Sequence, residues 1–160
     1  MRCSESESDV PLKKLPYFNN DVTLHPSASS IFYALSDLCG LRGMRKEQIR
    51  CTYAWWGGAA RQDCVLVQTG RVSADLPMSG YSVARLLLLF SFKYAGEVYP
   101  CALVWWCALT NATGRRDEDT GVWLVERGYR RGEPHLAVIH TDTIYRAAHL
   151  LPCFAKAQVL

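Results

Sequence analysis

The sequence predicts a mainly β protein with minor α: a small curled antiparallel sheet or barrel with short flanking helices. Three observations carry that expectation. The apolar stretch from Ser82 to Trp106 can fold back on itself at Ala95-Gly96. Short β-branched and aromatic runs between residues 63 and 140 are separated by turn residues, as in a small sandwich or barrel. The alternation of strands and long helices that a parallel sheet requires is not seen.

The Ser82–Trp106 stretch is the spine. Folding at Ala95-Gly96 sets Phe92 opposite Tyr99, Phe90 opposite Cys101, Leu88 opposite Leu103 and Leu86 opposite Trp105. The other face then opposes Leu87 with Val104 and Arg85 with Trp106. Aromatic and aliphatic pairs of this kind stabilise a sheet, and a two-residue Gly-bearing connection suits a hairpin. Four consecutive leucines, Leu86 to Leu89, could equally be helical by periodicity alone. The β-rich return run Val98, Tyr99, Val104, Trp105 and Trp106 favours strands. In this register Leu88 faces the core, so Leu88→Asp is expected to unfold the domain. The apolar runs fall short of the roughly 20 residues that span a bilayer as a helix.

The remaining elements follow in order. Residues 1–30 read as a poorly ordered tail, because SESESD buries nothing and Pro11, Pro16 and Pro26 interrupt any regular element, although Leu15, Tyr17 and Phe18 could tuck onto a neighbouring surface. Residues 31–58 read as a helical and basic lead-in: Ile31, Leu35 and Leu38 have helical spacing, Gly40 is a stop, and MRKEQIR is a solvated helix or loop face. Residues 59–154 form the barrel-like domain. Its strands are Asp63–Gln68, the two arms of the spine, Val122–Glu126 and Leu136–His140, with a charged hairpin tip at RRDEDTG and a basic loop from Gly128 to Pro134. A helical turn over 143–150, capped by Thr141 or Asp142, closes it. Residues 155–160 are a short truncated tail.

A chain of 160 residues is large enough for one well-buried core. Its net charge of +3 is too mild to imply nucleic acid by itself, so the placement of the cations matters more. The opening MRCSESESDV lacks the apolar run of a secretory signal. The cysteines number seven and none are in a C-x-x-C arrangement, which argues against a disulfide-stapled or zinc-ribbon domain. An intracellular and reducing setting is expected, the nucleus before the cytoplasm. No cofactor, membrane or small-molecule substrate is expected.

Phosphate-binding glycine loops, nucleophile elbows and zinc-protease motifs do not occur in the sequence. His140, Asp142 and His149 are the best candidates for a metal or acid–base cluster, although a capping role for Asp142 is the simpler account. The triplet Asp117, Glu118, Asp119 is better read as capping a turn than as a nuclease site, because nuclease carboxylates converge from separate elements. Trp55, Trp56, Trp106 and Trp123 could form an aromatic cage for a methyl-ammonium group, although tryptophans more often fill a core. The cations Arg42, Arg45, Lys46 and Arg50, with Arg127, Arg130 and Arg131, are candidates for phosphate or partner contact.

The blocks FYALSDLCGLRGMRKEQIR, ARQDCVLV, VARLLLLFSFKYAGEVYPCALVWW, DEDTGVW and VIHTDTIYRAAHLLP, in this order from Phe32 to about Phe154, resemble a C-terminal accessory module of basidiomycete Plavaka-like transposon-encoded proteins. These belong to the superfamily that also holds the Kyakuja, Dileera and Zisupton groups. The chain departs from that pattern at Leu35, Trp56, Thr141 and Ala155, where proline, arginine, leucine and glycine are favoured. The strand opening at Asp63, the Trp-Trp strand end and the I-x-R-x-x-H-L turn are also similar, at the level of fold, to bromo-adjacent homology domains of chromatin proteins. The resemblance implies a non-catalytic binding module derived from a fungal transposon protein, contacting DNA, chromatin or transposase partners. The alternatives are a metal-dependent hydrolase or nuclease using His140, Asp142 and His149, and a degenerate fragment with no independent function.

Overall fold

In a computed structural model that describes residues 18–34, 43–70, 80–110, 116–117 and 119–153, the chain forms antiparallel sheets. The strands are β1 (Thr23–Leu24), β2 (Ser27–Tyr33), β3 (Met44–Thr52), β4 (Arg61–Gln62), β5 (Cys64–Gln68), β6 (Tyr81–Tyr94), β7 (Glu97–Leu109), β8 (Val125–Arg127), β9 (Tyr129–Arg130), β10 (Glu133–Pro134), β11 (Leu136–His140) and β12 (Ile144–Ala148). The larger sheet runs β11-β7-β6-β5-β12, with β1 added to β6 and β8 added to β7. A second sheet is β2-β3-β4, and β9-β10 is a separate short hairpin.

The mainly β class is what the chain adopts, but the large sheet does not close into a barrel. Its edges, β11 and β12, do not pair with one another. The β2-β3 hairpin lies over one face instead. Ile49 and Cys51 of β3 meet Val65, Val67, Ala84, Leu86, Leu89, Ala102, Val104 and Ala147 of the large sheet in one buried cluster, with Ala28, Ala137, Ile139, Ile144 and Trp106 packed around it. A covering sheet removes that apolar face from water as closure would have done.

The spine is the hairpin of β6 and β7. Its turn residues Ala95 and Gly96 both have left-handed φ, 50° and 89°, as a two-residue primed turn requires. Phe92 faces Tyr99, Phe90 faces Cys101 and Leu88 faces Leu103. Beyond Leu88 the expected register fails by one residue. Leu86 opposes Val104 instead of Trp105, and Arg85 opposes Trp105 instead of Trp106, because the ladder is irregular between Leu86 and Leu88. An extra residue in one strand exchanges its two faces. Ala84, Leu86 and Leu89 are therefore core, and Leu88 lies half-buried on the opposite side.

The bulge sits where β6 changes neighbours. Its first half pairs with β5 as far as Arg85, whereas its second half pairs with β1 at Phe90 and Ser91. Leu86 N donates to Asp63 O at 3.1 Å and His25 N donates to Leu89 O at 2.9 Å, fixing the backbone on both sides of Leu87.

The helices expected around the sheet are replaced by strands. Ser27–Tyr33 pairs residue by residue with Met44–Arg50, so the lead-in expected to be helical is a β-hairpin, and strand pairing begins at Thr23, within the stretch read as tail. Phe32 is buried while Ile31 is exposed, an alternation of period two that overrides the helical spacing of Ile31 and Leu35. Leu35 and Leu38 lie outside the described residues. Of the three residues that could tuck in, Phe18 does so, edge-on to Phe92 at 5.0 Å between ring centroids; Leu15 and Tyr17 are outside the described residues.

The helical turn expected over 143–150 is a 3-10 turn, Thr141–Thr143, followed by strand β12. His140 caps it, its ring nitrogen accepting from Asp142 N. Asp117 does cap a turn: its Oδ1 accepts from Thr120 N at 2.9 Å and from Thr120 Oγ1 at 2.7 Å. The basic loop of 128–134 is the tight β9-β10 hairpin, turning at Arg131 and Gly132 with φ of 54° and 85°.

Candidate nucleic-acid interface

β3 sorts its residues by the alternation of a strand. Arg45, Glu47, Ile49 and Cys51 point toward the large sheet, and Met44, Lys46, Gln48 and Arg50 point away. On the outward face Lys46 lies beside Ile31, Gln48 beside Ser29 and Arg50 beside Ser27, while Arg61 of β4 lies beside Thr52. Arg50 Nη2 donates to Gln48 Oε1 at 3.1 Å.

The two carboxylates bordering this surface are tied down, Glu47 on the inward face of β3 and Asp63 against Arg50 and Arg61. Asp63 Oδ2 accepts from Arg50 N at 2.9 Å, and its Oδ1 accepts from Arg61 Nε at 3.1 Å. The Glu47 side chain is 18% exposed and bridges the sheets: Oε2 accepts from Ala147 N at 3.2 Å and lies 3.9 Å from Arg146 Nε, and Oε1 lies 3.6 Å from His149 Nε2. With Phe32 and Ala34, the side chains of Arg45, Lys46, Glu47, Arg146 and His149 line a cleft of about 430 Å³. Arg146 also stacks over Phe32, its Cζ 4.3 Å from the ring centroid.

Glu47 is thus a structural tie in a cationic setting. Glu47→Ala should leave the Ala147 N–H, on a buried residue, without its acceptor, costing about 1–3 kcal/mol. Glu47→Gln keeps an acceptor oxygen and should recover most of that loss. Urea denaturation of the two variants checks it; equal loss in both would assign the stabilisation to charge instead.

The loop of residues 53–60 projects from the end of this sheet. Trp55 N donates to Ala59 O at 3.2 Å and Gly58 N donates to Trp55 O at 2.9 Å, closing a tight turn. Trp55 has two guanidinium groups near its ring, with Arg50 Cζ at 4.3 Å and Arg61 Cζ at 4.9 Å from its centroid. Trp56 is 89% exposed and Tyr53 is 92% exposed. Trp56 also has φ of 53°, a left-handed conformation that costs a residue with a Cβ about 1–2 kcal/mol.

Compared with known proteins, the chain matches no family model, and no curated protein or solved structure is detectably similar to it.

The other candidate residues are dispersed. Arg127 lies on β8 and Arg130 and Arg131 on the β9-β10 hairpin, next to Gly128, whose O accepts from Trp105 Nε1 at 2.8 Å. Arg127 Cζ sits 5.0 Å from the Trp105 ring centroid, with Tyr129 edge-on at 5.7 Å. Arg42 lies outside the described residues.

The four tryptophans proposed as a cage do not converge. Trp106 packs against the core, Trp123 stacks with Arg116 at 4.6 Å, and Trp55 has a cation against its ring already. The metal candidates also separate. His140 contacts Asp142, with Nδ1 and Oδ2 at 3.4 Å, whereas His149 turns to Glu47 beyond β12. Among the described residues, no group of three or more His, Cys, Asp and Glu side chains is placed to hold a metal ion.

Burial pushes the thiols of Cys51, Cys64, Cys101 and Cys107 up, which keeps them protonated as small packing groups. Among the described residues no helix is long and apolar enough to cross a membrane.

Sequence reasoning missed Arg61, Arg146 and Tyr53. Arg61 and Arg146 join the surface through ring contacts across strands, which linear spacing does not show. Tyr53 stands beside the Trp-Trp-Gly-Gly turn, and that turn was the available signal.

Proposed function

We propose that the chain is a non-catalytic nucleic-acid-binding module whose contact surface is the β2-β3-β4 sheet with the loop at its end. The charge sorting on β3 carries this reading. Lys46 and Arg50 point outward, while Glu47 is turned inward and Asp63 is held by the Arg50 backbone N–H and by Arg61. A row of cations without interleaved free carboxylates attracts a polyanion through counterion release and without sequence preference. Arg45 and Arg146 add cations along the cleft on the inward side of β3.

The resemblance to the accessory module of Plavaka-like transposon proteins supports the same reading. It makes the chain a segment that holds DNA, chromatin or the transposase itself, in the nucleus, while catalysis belongs to another domain. A transposase catalytic domain encoded upstream in the same reading frame would be the expected genomic context.

Salt dependence tests the binding directly. Fluorescence anisotropy with 20-nucleotide single-stranded and duplex DNA should show micromolar binding at 50 mM salt. Two to three phosphate contacts should make log K fall with log salt at a slope of about −1.4 to −2.7. A flat response between 50 and 200 mM, or no binding at micromolar protein, would sink the reading.

A further inference from the structure

We infer that the loop between β3 and β4 is a base-stacking platform that makes the module prefer single-stranded nucleic acid over duplex. The inference rests on the nucleic-acid reading and goes beyond it, because cations alone do not distinguish the two forms.

Two flat aromatic side chains stand almost wholly in solvent, Trp56 in a hydrogen-bonded turn and Tyr53 just before it. Burial explains neither of them. Trp56 is held in a left-handed backbone conformation that glycine would adopt without strain, so folding alone would favour a different residue there. The adjacent Gly57 has φ of 75° and open space around it, so the turn itself makes no demand for an indole.

Trp55 supplies the rigidity. With Arg50 and Arg61 against its ring, it ties the loop to β3 and β4, its centroid 6.1 Å from that of Trp56. Thr52 Oγ1 adds a further tie, donating to Ala54 O at 3.0 Å. Exposed π faces beside phosphate-binding cations are the combination that holds unpaired bases.

Other ligands fit less well. A methyl-ammonium cage needs several rings around one cation, but Trp55 and Trp56 are tilted 56° at 6.1 Å and guanidinium groups already stack on Trp55. A membrane-inserting segment buries large apolar side chains such as Leu and Phe, whereas the other residues here are Ala54, Gly57, Gly58, Ala59 and Ala60. Bases in a duplex already stack on one another and offer no free face to a short loop.

The test uses the full chain, a fluorescein-labelled oligothymidylate of 12 nucleotides, an abasic strand of the same length, and a duplex of the same length. The expected order is oligothymidylate tightest, with quenching of tryptophan fluorescence on binding. Trp56→Ala should weaken oligothymidylate binding about tenfold, within the range for losing one stacked base, and weaken duplex binding by less than about threefold. Trp56→Phe should retain most of the affinity, and thermal melts should show all variants folded.

Equal affinity for the abasic strand and the oligothymidylate would overturn the stacking role while leaving the polyanion reading standing. So would oligothymidylate binding insensitive to both Trp56→Ala and Tyr53→Ala. Failure to bind any of the three would overturn both. Loss of binding to anionic phosphatidylglycerol vesicles in Trp56→Ala, with DNA binding intact, would reassign the loop to lipid.

Discussion

Leu89→Asp should abolish the folded state, and Leu88→Asp should not. Leu89 is 2% exposed in the cluster with Leu86, Ala102 and Val104. A carboxylate there would be buried without a partner, and the loss of leucine packing adds to that cost. Together these exceed about 4 kcal/mol, a large share of the 5–15 kcal/mol that stabilises a typical domain. Leu88 lies across the bulge on the half-exposed face opposite Leu103. An aspartate there can reach water and should cost about 1–2 kcal/mol. Far-ultraviolet circular dichroism and urea melts of the two variants decide it. The unbulged register predicts the reverse order, so an unfolded Leu88→Asp beside a folded Leu89→Asp would remove the bulge.

Reversing charge on the outward face of β3 should cost most of the nucleic-acid affinity. Each phosphate contact contributes close to one log unit per tenfold change in salt, so at 0.1 M two contacts are worth about 30- to 100-fold. Lys46→Glu combined with Arg50→Glu removes two cations and adds repulsion, and should weaken binding by at least that much. Arg50 also stacks on Trp55, so Lys46→Glu alone, at about tenfold, isolates the electrostatic part. Arg130→Glu with Arg131→Glu, on the β9-β10 hairpin, should change affinity less than threefold. If the hairpin variant loses binding and the β3 variant keeps it, the interface lies around Trp105 instead.

The two experiments address different levels. The first concerns which face of a strand is buried, and the second concerns which side chains that burial leaves outside. They are linked through β3, because Ile49 and Cys51 enter the core only if Lys46 and Arg50 face away from it. A strand that anchors the covering sheet therefore also displays its cations. Glu47 shares the inward face with Ile49 and contacts Arg146 and His149 on or beside β12 across the sheets.

By itself the sequence determined the β class, the hairpin turn at Ala95-Gly96, the pairing from Leu88 outward to that turn, and the strand Leu136–His140 at its exact bounds. Each rests on local chemistry: a glycine where left-handed φ is needed, aromatic pairs at fixed offsets, and β-branched runs between turn residues. It also singled out Lys46, Arg50, Trp55 and Trp56, four residues that the fold places along one sheet and in the loop at its end. Only the tertiary structure decided the rest. Leu86 to Leu89 are four identical residues, so no pattern within them marks where a bulge falls. The change of partner from β5 to β1 sets it at Leu87. MRKEQIR has the composition of a helix, and pairing with Ser27–Tyr33 makes it a strand because that burial of Phe32 and Ile49 outweighs intrinsic propensity. Closure into a barrel failed for a related reason: once β2 and β3 cover the core face, the edges β11 and β12 have no apolar face left to bury by meeting.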